Sequence, residues 1–195
     1  MASRTADGYE NGRLRREAIL DAAFGYFARA GYHGASLREI ALAAGVSYPG
    51  LRHHFATKDA LLLAVLAQRE ERAAALLERD DALPVLDRLV ALLEANRAER
   101  GLAQLFARVA AEASEPDHPA HGYFLERYAR IRSHLAQGLR ADAAAGRIGA
   151  GVDPERAAVA LIALADGLQT QWLLDAGAVD MAAELRRSAT GILRG

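Results

Sequence analysis

Apolar residues recur along this chain three and four positions apart, which is the spacing of one face of an α-helix. The first clear stripe contains Ile19, Ala23 and Phe27, and it predicts an amphipathic helix over about residues 13–30. Residues 1–12 are small and polar and lack this periodicity. We therefore expect them to form a disordered N-terminal arm.

The same helical spacing continues to the end of the chain. Runs that alternate strictly and are rich in Val, Ile and Thr are absent, so no sheet is expected. The pattern predicts an all-α fold with about nine helices. After the third helix, we expect the later ones to start near Lys58, Val85, Leu102, Pro119, Asp153 and Asp180.

Residues 36–58 predict two short helices joined by a tight turn, with a further helix beginning at Lys58. Ser36 and Glu39 have the spacing of a capping box, in which the hydroxyl and the carboxylate each accept a backbone N–H. Gly45 follows the first short helix and can adopt the positive φ that ends it.

The second short helix is expected over about residues 48–54. Ser47 is placed to cap it, and Pro49 lies in the first turn, where a missing N–H has no cost. A helix of this length is not stable alone, so Leu51 and Phe55 must hold it from behind. Its other side chains are polar or polar-tipped, and such a helix suits the major groove of DNA.

Composition and charge narrow the class of protein. A chain of 195 residues supports one or two small domains, and its 52% hydrophobic content is dominated by the helix formers Ala and Leu. Without Cys it has no disulfide framework and no thiolate site. We see no leader and no apolar run long enough to cross a bilayer, so a cytoplasmic protein is expected.

The net charge of −1 is unevenly distributed. Residues 1–58 carry a net charge of +3, and the remainder carries −4. A basic end on an acidic body suits a protein that contacts phosphate with one end only. Solvated helix faces would explain the same difference.

The residues around the two short helices resemble the N-terminal DNA-binding domain of TetR-type transcriptional regulators. The resemblance covers about the first third of the chain. Many members of that family carry aromatic residues where this chain has Arg52 and His53. The landmarks that carry the resemblance are residues 31–41, Ala44-Gly45-Val46-Ser47, residues 50–55, Lys58 and Leu61-Leu62.

This resemblance implies a three-helix helix-turn-helix domain over residues 13–58 and a larger helical domain over residues 59–195. The larger domain would bind an effector and form a homodimer. The implied protein is a cytoplasmic, sequence-specific regulator, most simply a repressor, that leaves a palindromic operator when a small molecule binds. No cofactor is expected.

The resemblance also assigns DNA contacts. Arg38 would enter the major groove, where arginine commonly binds guanine, although phosphate contact is the alternative. Arg52 could read a guanine or clamp a phosphate, and we favour base readout. The full set of expected contacts is Ser36, Arg38, Ser47, Tyr48, Pro49, Gly50, Arg52, His53 and Lys58. Of these, the two serines and the lysine should position the phosphate backbone without reading sequence. His54 is expected to pack behind the helix.

In the family, the last two long helices pair with their copies in a second subunit. Burial inside one subunit is the alternative for the second apolar face of the eighth helix. Gly167 would permit close approach. The expected dimerisation residues are Ala158, Ile162, Ala165 and Gln169. Two copies of the DNA-binding domain on a two-fold axis would match the half-sites of a palindrome.

The expected effector site rests on polar and aromatic residues of the later helices, and it suggests a largely apolar ligand. The alternative interpretation of each is an ordinary core or surface residue with no role in binding. The candidates are Phe106, Arg108, Glu112, His121, Tyr123, Phe124, Tyr128, Gln169 and Trp172.

Three rival hypotheses remain at this point. Asp117, His118 and His121 could bind zinc or a related metal, although Asp117 as a helix cap with two exposed histidines is the simpler interpretation, and no metal site is assigned. A helical-bundle enzyme is possible, but no nucleophile motif or phosphate loop appears. An architectural DNA-binding protein without an effector is the third.

Overall fold

All regular structure described in this protein is helical. The computed structural model describes residues 2–78 and 83–194, with side chains in 10–71 and 83–194. Within these ranges there is no strand, which confirms the all-α prediction. The nine helices described are α1 Ala2–Gly34, α2 Leu37–Ala43, α3 Tyr48–His54, α4 Lys58–Glu78, α5 Val85–Ala98, α6 Arg100–Glu112, α7 His121–Ala144, α8 Pro154–Leu174 and α9 Met181–Arg194.

The chain divides into two compact units, here named the head and the body. The head contains Met1–Glu70 and Gln104–His121, and the body contains Glu71–Ala103 and Gly122–Gly195. This differs from the expected boundary between residues 58 and 59, because the head also takes the start of α4 and most of α6. The apolar positions Leu61, Leu66 and Leu105 in these added segments are fully buried.

The first helix begins much earlier than the sequence predicted. It starts at Ala2, so the expectation of a disordered arm over residues 1–12 is wrong for the described residues 2–12. Arg13 forms ion pairs with Glu10 at 2.5 Å and with Glu17 at 2.7 Å. Pairs at these spacings stabilise a helix, and they lie across the junction where the pattern suggested disorder.

The turn between α2 and α3 forms as predicted around Gly45, whose φ is 67°. The N–H of Gly45 donates to the carbonyl of Leu42 at 3.1 Å, and that of Val46 donates to Ala41 at 3.0 Å. This pair of bonds is the Schellman arrangement. It ends α2 abruptly and turns the chain into α3.

The body is built around buried positions from α5, α7, α8 and α9, among them Val85, Leu139, Leu161 and Leu185, each with no exposed surface. The eighth helix starts at Asp153 as predicted, and Asp153 caps it, since its carboxylate accepts two N–H groups of the first turn.

The start of α5 is capped by a residue distant in sequence. The buried Asp142 of α7 accepts the N–H of Val85 at 3.0 Å and pairs with Arg147 at 2.8 Å. Pro84, at the N-cap position itself, makes no side-chain cap bond. A carboxylate that is both paired and hydrogen-bonded is tolerated in a core, and this one joins α7 to α5.

The composition of α8 is unusually apolar. Its 21 residues, with mean hydropathy 1.3 in the most apolar window, are long and apolar enough to cross a bilayer by length and composition alone. No apolar stretch of this length was expected from the sequence. Core helices of soluble proteins have the same profile, yet only 28% of this window is buried within the chain.

Candidate nucleic-acid interface

The seven-residue helix α3 is held by its apolar side. Leu51 has no exposed surface and Phe55 is 5% exposed. On α2, Ile40 and Ala41 are buried in the same way. Because so short a helix cannot persist alone, this packing is what gives α3 a defined position in the head.

The N-terminus of α3 is capped by Ser47, as predicted. Its hydroxyl oxygen accepts the N–H of Gly50 at 3.1 Å. A side chain at Gly50 would meet the same oxygen, because a Cβ there would lie 3.1 Å from it. The cap therefore favours glycine at position 50 as well as serine at position 47.

The expected capping box at the start of α2 does not form. Ser36 occupies the N-cap position with extended backbone angles, but its side chain makes no cap hydrogen bond. Both Ser36 and Glu39 lie where water reaches them, and water can satisfy the first-turn N–H groups of a helix. The residues thus have the right spacing without making the predicted bonds.

The opposite side of the two helices is open to solvent. Arg38, Tyr48, Arg52 and His53 are exposed, and the Arg38 guanidinium carbon lies 5.7 Å from the centroid of the Tyr48 ring. The structure therefore brings together two residues that the sequence placed on different helices. Pro49 is also exposed, and Gly50 is half-buried.

One residue of this face was missed by the sequence analysis. Leu42 on α2 is 82% exposed, and it follows Arg38 by one helical turn, which places both on one side of the helix. Leu42 could have been identified from the sequence, because it lies outside the apolar stripe of Ile40 and Ala41. Such a side chain can contact a thymine methyl group.

Lys58, expected to contact phosphate, also makes contacts within the head. Its ammonium donates to the carbonyl of Ala35 at 3.1 Å and lies 4.3 Å from the centroid of the Tyr32 ring. Thr57 caps α4, since its hydroxyl oxygen accepts the N–H of Ala60 at 3.1 Å. An ammonium group has three protons, so this internal bond leaves protons of Lys58 for a phosphate contact.

His54 is half-buried, unlike its neighbour His53. Burial lowers the pKa of His54, and the nearby charges of His53, Arg16 and Arg15 lower it further. The Arg16 guanidinium also lies over the Phe55 ring at 5.2 Å. These contacts agree with the expected packing role of His54.

Comparison with known families covers both parts of the chain. The model described as "Bacterial regulatory proteins, tetR family" matches residues 19–65, which contain α2 and α3. The model described as "BetI-type transcriptional repressor, C-terminal" matches residues 85–194, more than half of the chain. The chain belongs to the TetR family of bacterial transcriptional regulators. Members of this family are regulators, and this membership decides against the enzyme hypothesis.

Curated relatives resemble the N-terminal part of this TetR-family chain. The transcriptional repressor Rv1474c of Mycobacterium tuberculosis is 39% identical over 77 residues, which are 40% of this chain and 41% of that protein. The regulator RutR of Escherichia coli is 46% identical over 54 residues, covering 28% of this chain and 26% of RutR. The matched segment thus spans less than half of either relative.

Solved structures resemble nearly the whole chain. GusR of Salmonella enterica is 30% identical, with a TM-score of 0.75, and the match covers 92% of this chain and 95% of GusR. A TetR-family regulator from Rhodococcus sp. is 26% identical, with a TM-score of 0.75 and coverage of 93% and 99%. These neighbours confirm the predicted architecture of an N-terminal helix-turn-helix and a helical C-terminal region.

The residues expected to bind an effector do not form one site within either unit. Phe106, Arg108, Glu112 and His121 lie in the head, and the other five lie in the body. Two of the head residues are committed to other bonds. The Glu112 carboxylate accepts the N–H of Tyr32 at 2.7 Å, and a ring nitrogen of His121 contacts the carbonyl oxygen of Ala113 at 2.8 Å.

Candidates in the body also make contacts within their own unit. The Tyr128 hydroxyl donates to Asp166 at 2.8 Å, and burial raises the pKa of Tyr128 to about 12. Gln169 accepts a hydrogen bond from Asn96 at 2.7 Å. The ring of Trp172 is buried, with the Arg100 guanidinium 4.9 Å from its centroid.

The body contains a half-open cavity of about 400 Å³ between α5, the end of α8 and the start of α9. Its lining includes Leu93, Trp172 and Met181, with Arg97 and Arg186 among the charged groups. Trp172 is the one residue of the expected effector set that lines it. The other lining residues were not predicted, because they lie in two segments far apart in the chain, 93–97 and 176–186.

The expected dimerisation residues are largely used within the body. Ala158 has no exposed surface, and Ile162 and Ala165 pack against the core of the body. The exposed side of α8 is displaced by one residue and carries Val159, Ala163, Asp166, Gly167, Thr170 and Leu174. A helix position one residue along points about 100° away, which explains the displacement.

The metal hypothesis finds no support in the geometry. Among the described residues there is no group of three or more His, Cys, Asp and Glu side chains that could hold a metal ion. His118 was expected to be exposed, but its side chain is 2% exposed and packs edge-on against Tyr32. That expectation was wrong because His118 is buried by residues far from it in sequence, such as Tyr32, and the local pattern does not identify them.

The difference between the two serines gives a paired prediction. Ser47→Ala should lower the free energy of unfolding of the head by about 1 kcal/mol, because it removes a formed N-cap. Ser36→Ala, at a position with no cap bond, should change it by less than about half of that. Hydrogen exchange at α3 amides together with denaturant titration measures both, and equal losses would contradict this assignment.

Proposed function

We propose that this protein is a cytoplasmic homodimeric repressor that binds a palindromic operator through α2 and α3 and leaves it when a small molecule binds. The observation that carries the proposal is the two-sided character of α3. Leu51 and Phe55 are buried behind it, while Arg52 and His53 are exposed in front. A helix fixed from behind and basic in front is suited to the major groove.

Arg38 and Arg52 are proposed to read bases. Both are exposed, and no carboxylate is paired with either guanidinium among the residues that the structure describes. Arginine bound to guanine through two hydrogen bonds is the commonest specific contact in the major groove. Tyr48 beside Arg38 would restrict the guanidinium and offer its ring to a thymine methyl.

Base and phosphate contacts can be separated by comparing operator with random duplex. Arg38→Ala and Arg52→Ala should each cost about 1–3 kcal/mol on the operator and little on random DNA. Lys58→Ala should weaken binding to both duplexes and lower the salt slope by about one. Titrations by fluorescence anisotropy at several salt concentrations measure all of these.

The matched control for Arg38 is Arg29 on α1, which is also exposed and also lies over a tyrosine ring, that of Tyr26, at 5.0 Å. Arg29→Ala should leave both affinities near those of the wild-type protein. If Arg38→Ala weakened operator and random duplex equally, base readout by Arg38 would be disproved.

Dimerisation is proposed to occur through the exposed side of α8. Val159 and Leu174 are large apolar residues with 53% and 84% of their surface exposed. Ala163 and Gly167 between them leave room for a second helix to approach. An apolar face of this kind is typical of a surface that a partner covers, and a two-fold axis there would suit a palindrome.

A charge on this face should disrupt the dimer. Ala163→Glu is expected to produce monomers and to weaken operator binding by about 100-fold or more, because the two half-sites are then bound independently. The control Ala91→Glu replaces an exposed alanine in the middle of α5. Sedimentation measures the mass; a dimeric Ala163→Glu protein with unchanged affinity would contradict this interface.

The effector is proposed to bind in the body. The cavity of about 400 Å³ has a volume in the range usual for small-molecule sites. A solved neighbour with the same fold, FadR of Bacillus subtilis, was crystallised with stearoyl-CoA; it is 19% identical, with a TM-score of 0.74 and coverage of 91% and 97%.

Release requires that the effector bind the DNA-incompetent arrangement more tightly than the competent one. An architectural DNA-binding protein is the alternative function. A small molecule that releases the operator would distinguish the two.

A further inference from the structure

The end of α1 is held by a side chain from the end of α6. Gly31 interrupts the helix with φ 72° and ψ −174°, a conformation that is open in practice to glycine alone. The Glu112 carboxylate occupies the space beside it, so that a Cβ on Gly31 would overlap Oε1 of Glu112. The other oxygen, Oε2, accepts the N–H of Tyr32 at 2.7 Å.

Tyr32 connects this bond to the start of α4. Its hydroxyl donates to the carboxylate of Asp59, and its ring lies 4.3 Å from the ammonium of Lys58. Lys58 in turn donates to the carbonyl of Ala35 at 3.1 Å. Ala35 immediately precedes Ser36, the N-cap residue of α2.

The buried ring of His118 also packs against Tyr32. Its ring contacts those of Tyr32 and His33 edge-on, with centroids 5.0 and 5.9 Å away. Its Nδ1 accepts the N–H of Ala120 at 3.1 Å, so the neutral ring carries its proton on Nε2. That buried nitrogen has no hydrogen-bond partner, and it lies 3.8 Å from Oε2 of Glu112.

These contacts form one connected path from α6 to the proposed DNA-binding face. Glu112 holds Gly31 and Tyr32, Tyr32 holds the start of α4, and Lys58 holds the start of α2. The path ends beside Ser36 at the start of α2, whose first turn carries Arg38, the residue proposed to read a base. A base contact requires the Arg38 guanidinium to lie in register with the base edge, so a path that fixes the start of α2 bears on operator affinity more than on affinity for random duplex.

We infer that Glu112 is a positioning residue for DNA binding, whose carboxylate fixes the starts of α2 and α4 through Gly31 and Tyr32 without touching DNA. The inference rests on the proposed function. A merely structural role would predict lower stability with an unchanged ratio of operator to random-duplex affinity. A positioning role predicts that this ratio falls in the protein that remains folded.

The test uses the full chain, an operator recovered by selection from random duplexes and a random duplex of equal length. Glu112→Ala should lower operator affinity by about tenfold, the usual effect of losing one charge-assisted hydrogen bond, and random-duplex affinity by less than about twofold. Glu112→Gln keeps an oxygen that can accept the Tyr32 N–H and should stay within about threefold of wild type on the operator.

Glu115 supplies the matched control, since it is an exposed glutamate three residues further along with no side-chain bond described. Glu115→Ala should bind both duplexes like the wild type. Hydrogen exchange at the Tyr32 amide reads the bond itself: it should be slow in the wild type and in Glu112→Gln, and faster in Glu112→Ala.

Several results would overturn the inference. One is a folded Glu112→Ala protein with wild-type operator affinity, and another is equal losses on both duplexes. If Glu112→Ala does not fold, Glu112→Gln decides, because loss of operator binding despite a protected Tyr32 amide contradicts positioning through this bond. If the wild-type protein selects no operator, the proposed function fails instead, so the two failures are distinguishable.

Discussion

The burial of Leu51 and Phe55 is the interaction on which the proposed function depends. Seven residues cannot form a stable helix in water, so α3 exists because these side chains are withdrawn from solvent. Burial of one large apolar side chain contributes about 1.5–3 kcal/mol, more than the roughly 1 kcal/mol of the Ser47 cap. The cap and Gly45 set where the helix begins, and the burial sets where it lies.

A second set of contacts joins the start of α2 to residues of the head that are distant in sequence. The Glu112 carboxylate, from the end of α6, bonds to the Tyr32 amide, and Lys58 returns to Ala35 beside the start of α2. These two charged side chains thus bond to backbone groups near the end of α1 and the start of α2. The head therefore includes Gln104–His121, although in sequence this segment follows the body's first helix.

Local features of the fold were predictable, because their causes lie within a few residues. Gly45 ends α2, and Ser47 and Asp153 begin α3 and α8, as their positions indicated. The capping box at Ser36 failed, since exposed first-turn groups can be satisfied by water as readily as by a side chain. Residues 2–12 are helical despite two glycines. Hydrophobic periodicity takes no account of ion pairs such as those of Arg13, so it did not predict this part of α1.

Contacts between residues far apart in sequence were not predictable from periodicity. Glu112 and His121 were expected at an effector site, and their partners Tyr32 and Ala113 lie in the head. Ala158 was expected at a subunit surface, and it is fully buried in the body. Helical spacing shows that a face is apolar, but it does not show which neighbour covers that face.

The central claim is that α2 and α3 of a homodimer read a palindrome. Selection of bound sequences from a pool of random duplexes, with the purified protein at low salt and without ligand, tests it most directly. We expect enrichment of two inverted half-sites, with centres about one helical turn or a multiple of it apart. Recovery of no enriched sequence would contradict the account.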